Sequence, residues 1–241
     1  MSEANRIALI TGGSRGLGLE IGRVLASRGC SLVIGGRDRE SLAAAAGELA
    51  ARAPAVVPVA GDITDAGTRH RLLDACRGLG GLDVLVNNAS ELGVIGPLAD
   101  FDVPAFGRLF PVNVGAPMVL TQLVLPLLSQ RRGLIVNITS DAAIAAYPGW
   151  GPYGATKAAL ELLTRTLARE LPPGVSAVLV DPGDLRTRMH QQAFPGEDIS
   201  DRPLPEVTAP FWNWLFDQEP DTIRGQRFAA QRQDAPWLQQ A

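Results

Sequence analysis

Tyr153 and Lys157 are the residues whose types and spacing most strongly suggest chemistry. They stand four positions apart in the segment Tyr-Gly-Ala-Thr-Lys, so on a helix both side chains lie on one face. Lys157 is the only lysine among 22 basic residues; the other 21 are arginines. An ammonium group beside a phenol lowers the pKa of the phenol from about 10 and fits it for acid–base work. The alternative is a surface lysine beside a half-buried tyrosine.

Two further polar residues could complete such a site. Ser140 stands thirteen positions before Tyr153, just after the apolar run Leu134–Ile138. The carboxyl edge of a parallel sheet, where this serine is expected, is also where ligands bind in such folds. Asn113 follows Pro111 in a long helical segment, and it could equally serve only to satisfy backbone groups at a kink.

A glycine-rich turn near the start of the chain is the second chemical signal. It follows the first predicted strand and opens a helix, with the sequence Thr11-Gly12-Gly13-Ser14-Arg15-Gly16-Leu17-Gly18. Glycine permits a positive φ and a close approach of the backbone to a pyrophosphate, which a helix N-terminus also attracts. Ordinary tight turns contain glycine too, but the strand before and the helix after favour a nucleotide site.

The elements that must position these residues alternate between strands and helices. Strands are predicted at Arg6–Ile10, Ser31–Ile34, Ala55–Val59, Leu82–Val86, Leu134–Ile138, Val175–Val180 and, more weakly, Gln226–Ala229. Helices are predicted at Leu17–Arg28, Arg39–Arg52, Ala66–Leu79, Pro104–Gln130 and Tyr153–Leu171. The continuous apolar strands predict a doubly wound parallel sheet of about seven strands, with helices on both faces, in a single domain over residues 1–241.

Two segments interrupt this alternation. Pro111, Pro117 and Pro126 predict that the long central helix is kinked or segmented. Residues 184–205 lack periodicity, which predicts an irregular substrate lid or binding loop.

Composition limits the remaining possibilities. The 241 residues carry a formal charge of −3, and the apolar run Ala116–Leu128 is too short to span a bilayer, so we expect neither a nucleic-acid nor a membrane partner. Two histidines and two separated cysteines, Cys30 and Cys76, predict no metal site and reduced, buried thiols. The first residues show no signal-peptide pattern, which favours a cytoplasmic protein.

Taken with their order along the chain, these motifs resemble the short-chain dehydrogenase/reductase family. The resemblance extends over roughly residues 6–190 and includes T-G-x-x-x-G-x-G, Y-x-x-x-K, Asn87-Asn88-Ala89-Ser90, where glycine is common at the last position, Asp62-Ile63, and Pro182-Gly183 with Thr187. It implies a single-domain Rossmann fold and hydride transfer between a nicotinamide and a carbonyl or secondary alcohol. Homodimers or homotetramers are also implied.

The same resemblance assigns roles to individual residues. Tyr153 would be the acid/base, Lys157 would tune it and hold a ribose, Ser140 would orient the substrate oxygen, and Asn113 would support a proton relay. The cofactor-binding residues would be Gly12, Ser14, Arg15, Gly16, Leu17, Gly18, Arg37, Asp62, Ile63, Asn88, Ala89, Tyr153, Lys157, Pro182, Gly183 and Thr187.

The choice between NADP(H) and NAD(H) depends on the end of the second strand. Asp38 lies about twenty residues past the glycine turn, which favours NAD. The family's decisive carboxylate, however, stands at the position of Gly36, where this chain has none. Arg15 and Arg37 would instead suit a 2′-phosphate through charge-assisted hydrogen bonds, so we expect NADP(H). The alternative is that both arginines are solvated surface residues.

The substrate is predicted only by class. The residues expected around it are mostly apolar and suggest a small to medium hydrophobic carbonyl compound: Leu92, Ile95, Ala142, Ile144, Tyr147, Trp150, Leu185, Met189 and Phe194. One alternative is a 3-oxoacyl-carrier-protein reductase, although Arg224–Ala229 lacks the V-x-G-G ending frequent among them. Another is a catalytically idle NADP(H) sensor. An aromatic cluster at 211–216 is expected to dock a terminal helix on the core or on another subunit.

Overall fold

Continuous runs of Val, Ile and Leu form a parallel sheet, because strands covered on both faces need apolar side chains at every position. The computed structural model describes residues 6–101 and 103–231, except for the side chains of 105 and 106. Its strands are β1 (Ile7–Thr11), β2 (Ser31–Gly36), β3 (Val56–Ala60), β4 (Val84–Asn87), β5 (Leu134–Ile138), β6 (Ser176–Asp181) and β7 (Arg227–Ala229). They form one seven-stranded sheet in the order β3-β2-β1-β4-β5-β6-β7, with every pair parallel, which confirms the predicted architecture.

Helices cover both faces of this sheet. They are α1 (Gly16–Ser27), α2 (Arg39–Leu49), α3 (Ala66–Leu79), α4 (Val103–Phe110), α5 (Ala116–Arg131), α6 (Gly151–Glu170), α7 (Arg188–Ala193) and α8 (Ala209–Asp217). Alternate residues of β1 face opposite layers: Ala8 and Ile10 pack with α1, α2 and α8, while Ile7 and Leu9 pack with α3 and α5. The sheet therefore lies between two apolar cores.

The central helix is segmented, as its prolines predict. Pro111 opens one turn of π-helix, Pro111–Gly115, which joins α4 to α5. Proline has no backbone N–H to donate, so the regular helical hydrogen-bond pattern changes at that residue. Asn113 lies inside this turn and is buried.

Two elements after β6 refine the sequence-based expectations. The segment 184–205 is not irregular throughout, because Arg188–Ala193 forms α7. The hydroxyl of Thr187 accepts a hydrogen bond from the backbone N–H of His190 at 3.3 Å and caps this helix. The aromatic cluster docks α8 on the core, with Phe211 and Trp212 fully buried.

One helical segment passes a simple length test for membrane spans. Gly107–Arg131 covers 25 residues and is apolar enough by composition to cross a bilayer. Almost half of its most apolar stretch is nevertheless buried, with Leu120, Val124 and Leu128 packed in the core beneath the sheet. Such packing is typical of a core helix, so the segment is only weak evidence for a membrane span.

Candidate active site

One cleft crosses the carboxyl ends of the central strands. It has a volume of about 1120 Å³ and extends from the glycine turn after β1 to Tyr153 and Lys157 on α6. The loops after β4, β5 and β6 contribute Ser90, Ser140 and Pro182 to its walls. The topology thus brings together residues from distant parts of the sequence, as expected for a doubly wound sheet.

The glycine turn has the shape and the free donors that an anion needs. Gly12 and Gly16 have φ values of +66° and +54°, which glycine adopts without strain. A Cβ on Gly18 would overlap the carbonyl oxygen of Gly12 and lie 2.5 Å from Asn88 Nδ2. No side chain caps the N-terminus of α1, and the residue at that position, Arg15, has extended backbone. The residues present therefore fit the pyrophosphate of a dinucleotide.

The end of β4 braces this turn. Asn88 donates through Nδ2 to the carbonyl oxygens of Thr11 at 2.9 Å and Gly12 at 3.1 Å. The hydroxyl of Thr11 accepts from the backbone N–H groups of Asn88 and Ala89, both at 3.0 Å. Asn88 thus acts on the cleft through the shape of the turn, while Ala89 lines the cleft.

The distal end of the cleft carries both acidic and basic groups. The Asp38 carboxylate caps α2 by accepting from the backbone N–H of Ser41 at 2.8 Å, and the bonds from Ser41 hold its pKa below the usual range. One oxygen of the Asp38 carboxylate is therefore engaged at the start of α2. Arg15 and Arg37 line the same end, and Arg37 forms an ion pair with Glu91.

Asp62 and Ile63 lie beside the arginines in the wall of the cleft. The Asp62 carboxylate accepts from the backbone N–H of Thr64 at 2.8 Å and from its hydroxyl at 2.6 Å. These two bonds hold the pKa of Asp62 below its ordinary value. The turn that these bonds stabilise keeps Ile63 in the wall of the cleft, where its side chain could pack on a planar ring of a bound ligand.

Tyr153 and Lys157 lie buried at the opposite end of the cleft, on one face of α6. Their residues are 7% and 2% exposed, and Lys157 Nζ lies 5.5 Å from the centre of the Tyr153 ring. Nζ donates to the carbonyl oxygen of Ile138 at 2.9 Å. Burial lowers the pKa of Lys157 to about 8.

The pKa of Tyr153 differs from the expectation drawn from its neighbour. It is raised, chiefly by burial and further by the carboxylates of Asp181 and Asp141. The hydroxyls of Ser90 and Ser140 act in the opposite direction. Burial disfavours the phenolate, and Lys157 directs its ammonium to a backbone carbonyl. The predicted lowering of the phenol pKa by the chain alone is therefore wrong.

Ser140 lies at the cleft, and its hydroxyl is already engaged. Its Oγ donates to the Asp141 carboxylate at 3.0 Å and accepts from the backbone N–H of Ala142 at 3.2 Å. Tyr147 donates to the other oxygen of Asp141 at 2.6 Å. A substrate oxygen that used the Ser140 proton would compete with Asp141.

Asn113 is fully occupied by the loop after β4. Its Oδ1 accepts from the Ser90 hydroxyl at 3.1 Å and from the Glu91 N–H at 2.8 Å. Its Nδ2 donates to the Glu91 carbonyl at 2.8 Å and to the hydroxyl of Thr156 at 3.0 Å. The side chain thus ties the π-helical turn to this loop and to α6.

The Pro182–Gly183 turn closes the cleft beside α7. Gly183 has a φ of +70°, and its N–H donates to the Asp181 carboxylate at 3.0 Å. A Cβ on Gly16 would lie 3.5 Å from the methyl group of Thr187, so the start of α7 packs over the glycine turn. The glycine turn and the segment after β6 therefore line one continuous part of the cleft.

Comparison with known proteins agrees with this geometry. The family model for short chain dehydrogenases matches residues 6–198. The chain belongs to the short-chain dehydrogenase/reductase family. This short-chain dehydrogenase/reductase is 34% identical over 187 residues to dehydrogenase/reductase SDR family member 4 of Pongo abelii, covering 76% of this chain and 67% of that protein. Its relatives are dehydrogenases and reductases, so it is an oxidoreductase.

Solved structures extend the similarity beyond the matched motifs. A short chain dehydrogenase from Pseudomonas syringae has a TM-score of 0.88 at 34% identity and covers 95% of this chain and 96% of its own. A short chain dehydrogenase from Shigella flexneri, complexed with NADP, has a TM-score of 0.87 at 29% identity and covers 95% and 98%. The fold of this dehydrogenase/reductase therefore continues beyond residue 198, through β7.

The cleft of this dehydrogenase/reductase brings most of the predicted residues together. Ile144 is an exception, because it is 69% exposed and lines a separate apolar groove, as does Ile95. The other apolar residues predicted near the substrate lie in or beside the cleft, and Trp150 packs edge-on against Tyr153 with ring centres 5.9 Å apart.

Sequence reasoning missed several charged residues behind this site. Glu161, Asp181 and Arg227 form a part-buried ionic group, in which Arg227 also donates to the carbonyl oxygen of Ser140. One signal was available for Glu161, because it follows Lys157 by four positions and shares its helix face. Arg227 stands on a weak edge strand, and its partners become apparent only in the folded sheet.

Proposed function

We propose that this protein is an NADP(H)-dependent carbonyl reductase or alcohol dehydrogenase that uses Tyr153 as its general acid/base. The observation that carries the proposal is the position of the buried Tyr153 phenol. It faces the hydroxyls of Ser90 and Ser140 in the same cleft as the glycine turn. A dinucleotide that extends from the turn along this cleft would bring its reactive end towards the phenol.

Tyr153 would supply the proton that balances hydride transfer. Bound NADPH would supply the hydride to the carbonyl carbon, and this part of the chemistry belongs to the cofactor. Because its pKa is raised, Tyr153 carries its proton at neutral pH, which is the form that a carbonyl reductase needs. In the reverse direction the phenolate would accept the proton of an alcohol.

Lys157 and Ser140 would assist this proton transfer in different ways. The buried Nζ of Lys157 is positioned by Ile138 at 2.9 Å and keeps further donor capacity for a ribose hydroxyl. Ser140 would donate to the substrate oxygen after its proton turns away from Asp141. Asn113 would contribute by fixing the loop that carries Ser90.

Preference for NADP(H) over NAD(H) is supported by charge at the distal end of the cleft. Arg15 and Arg37 line this end, and Asp38 is engaged at the start of α2. A 2′-phosphate would accept charge-assisted hydrogen bonds from the two guanidinium groups, while a carboxylate suited to a ribose diol is missing at Gly36. The Shigella flexneri neighbour is itself complexed with NADP.

The substrate would be a small to medium hydrophobic carbonyl compound. Leu92, Trp150 and Phe194 form an apolar wall around Tyr153, and Met189 packs with them. Such a wall stabilises an apolar body and leaves the hydroxyl groups to orient the single reacting oxygen.

The proposal also includes a cytoplasmic location and self-association of this chain into a homodimer or homotetramer. Leu162 and Leu163 of α6 are 65% and 37% exposed, and Val119 of α5 is 41% exposed. Exposed apolar side chains on these two long helices suit a homodimer or homotetramer. Analytical ultracentrifugation of the purified chain, alone and with Leu162→Glu, tests this part directly.

The decisive experiment measures turnover and cofactor binding together. The purified protein is screened with NADPH against a panel of hydrophobic ketones and aldehydes, followed by absorbance at the nicotinamide band. For Tyr153→Phe we expect kcat to fall by at least ~100-fold, with the Kd for NADPH unchanged. NADPH binding without turnover across the panel would instead favour a cofactor sensor, and a clear preference for NADH would contradict the cofactor assignment.

A further inference from the structure

A single arginine on the last strand holds the rear wall of the active site. Arg227 donates through Nη2 to the carbonyl oxygen of Ser140 at 3.2 Å and to the Asp181 carboxylate at 3.0 Å. Its Nε donates to the carboxylate of Glu161 at 2.8 Å. One planar guanidinium therefore joins the ends of β5 and β6 to α6.

Through Asp181, Arg227 is also connected to the Pro182–Gly183 turn in the wall of the cleft. One oxygen of that carboxylate accepts from Arg227, and the other accepts from the backbone N–H of Gly183 at 3.0 Å. Arg227 is thus two hydrogen bonds away from the Pro182–Gly183 turn and one bond away from Ser140. We propose that Arg227 is a positioning residue that fixes the substrate-orienting Ser140 relative to the turn expected to seat the nicotinamide.

This inference rests on the proposed reaction, and the geometry favours arginine over any other cation. Nε and Nη2 leave the guanidinium along different directions in one plane, and each direction ends on a separate carboxylate. Lysine would offer a point charge without this fork. The buried carboxylate of Glu161 also accepts from the Thr139 hydroxyl at 2.9 Å and pairs with Arg165, so its position is fixed independently of Arg227.

Sequence context separates this arrangement from the strand ending that is frequent among 3-oxoacyl-carrier-protein reductases. Arg227 stands within Arg224–Ala229, the segment that lacks the frequent V-x-G-G ending. From the edge strand β7, the guanidinium of Arg227 thus reaches the carboxyl ends of β5 and β6. This departure is matched by two acidic residues, Glu161 and Asp181, which face that cation.

Charge at this point also acts on the catalytic phenol. The groups that face Tyr153 are Lys157 from its own helix, Ser90 after β4, Ser140 and Asp141 after β5, and Asp181 at the end of β6. Of these, Asp181 raises the pKa of Tyr153, and Arg227 is the cation paired with it. Removal of the arginine would leave that negative charge less compensated, so the pKa of Tyr153 would rise further.

Arg224 offers a matched control three residues away. It donates to the carbonyl oxygens of Ala168 and Leu171, both at 3.1 Å, and to the Asp221 carboxylate at 2.7 Å. It therefore braces the end of α6 far from the cleft. Its loss is expected to affect unfolding without changing the site.

The experiment compares Arg227→Gln, Arg227→Lys and Arg224→Gln with the parent enzyme. For Arg227→Gln we expect kcat to fall about 10- to 100-fold, because small displacements of orienting groups have effects of this size. The Kd for NADPH should rise severalfold while the Kd for adenosine 2′,5′-bisphosphate, which lacks the nicotinamide half, stays constant. The pH profile of alcohol oxidation should move to higher pH.

The other two variants distinguish positioning from stability. Arg227→Lys retains a cation, so it should fold and should keep the pH profile of the parent, but kcat should remain low. Arg224→Gln should lower the urea midpoint while kcat, the pH profile and both Kd values stay at parental levels. The proposal is wrong if Arg227→Gln and Arg227→Lys change only the urea midpoint, as Arg224→Gln does.

Failure of the proposed function gives a different result. A parent protein that binds NADPH but turns over no carbonyl compound would contradict that function, while the comparison of NADPH with the bisphosphate would still test Arg227. If the parent prefers NADH, the corresponding pair of ligands is NADH and AMP. Equal loss of affinity for both members of the pair would overturn the positioning role.

Discussion

The ammonium group of Lys157 donates a hydrogen bond to the carbonyl oxygen of Ile138 at 2.9 Å. This bond places a buried cation at the end of β5. Lys157 follows Tyr153 by four residues, or about one turn of α6. Ile138 thus fixes the orientation of Lys157 through the backbone, independently of Tyr153. The cation remains costly to bury, which the lowered pKa of about 8 reflects.

The burial of Lys157 predicts a pH-dependent stability. In the unfolded chain this lysine keeps its proton up to its ordinary pKa of 10.5, while the folded chain releases the proton at about 8. Unfolding therefore takes up a proton between these values, and the folded state gains stability as pH rises through that window. Relative to Lys157→Met, the unfolding free energy of the parent should rise by up to about 3 kcal/mol from pH 8 to 10.5.

Urea unfolding of both proteins across that pH range checks this expectation. The raised pKa values of Tyr153 and Cys76 act in the opposite direction above pH 9, but both proteins retain these groups. Their contributions largely cancel in the difference. A difference that stays constant from pH 8 to 10.5 would contradict a lowered pKa for the buried lysine.

Ser90 provides a second prediction, because the family commonly has glycine at this position. Its hydroxyl lowers the pKa of Tyr153 when its single proton turns towards the phenol, and in the resting structure that proton is donated to Asn113 at 3.1 Å. Ser90→Gly should therefore raise the pKa of the phenol and move the pH profile of alcohol oxidation to higher pH. Ser90→Ala should produce the same shift, which separates loss of the hydroxyl from gain of backbone freedom. Unshifted profiles for both variants would refute a direct effect of Ser90.

The ion pair between Arg37 and Glu91 leads to a third prediction. Both side chains line the cleft, and the guanidinium is 65% exposed. Glu91 would compete with the proposed 2′-phosphate for Arg37, so Glu91→Gln should tighten NADPH binding about two- to fivefold, the scale of an exposed ion pair. NADH binding should not change, and Arg37→Gln should weaken NADPH binding.

Asp74→Asn is the matched control for Glu91→Gln. It removes the partner of Arg77 on α3, where both side chains are exposed and outside the cleft. Fluorescence titrations with NADPH and NADH at two salt concentrations measure the Kd values of each variant. Equal responses of NADPH and NADH to Glu91→Gln would exclude competition at the 2′ position.

Glycine substitutions give a fourth prediction with an internal comparison. Gly18→Ala would drive a methyl group into Gly12 and Asn88, so we expect it to abolish NADPH binding and to destabilise the fold. Gly47→Ala lies in α2, where nothing stands within 4 Å of the added methyl group. It should raise stability by about 0.5–1 kcal/mol and leave binding unchanged. Thermal unfolding with and without NADPH measures both effects.

Local sequence patterns were enough to predict the sheet and the location of the cleft. The apolar runs of β1, β2, β4 and β5 fall within one or two residues of their predicted bounds, because buried parallel strands leave little freedom in composition. The helix α7 was missed because its start depends on a single cap by Thr187 in a polar, proline-rich segment.

The electrostatics of the site could not be predicted in the same way. Spacing alone places Lys157 beside Tyr153, but the sign of the phenol pKa shift depends on burial and on Asp181, which comes from a different strand. Likewise, the hydrogen-bond partners of Asn113 are Ser90, Glu91 and Thr156, which approach it through tertiary contacts. Such shifts and bonds arise from long-range packing that a sequence window does not contain.

The open N-terminus of α1 suggests a conflict between robustness and ligand recognition. A carboxylate at Arg15 would cap the helix and stabilise the free protein by about 1 kcal/mol. The same carboxylate would occupy the electropositive position intended for phosphate and repel it. Selection for thermal stability alone would therefore favour substitutions at this helix end that weaken phosphate binding. Stabilising substitutions in this protein should instead be sought at sites remote from the N-terminus of α1.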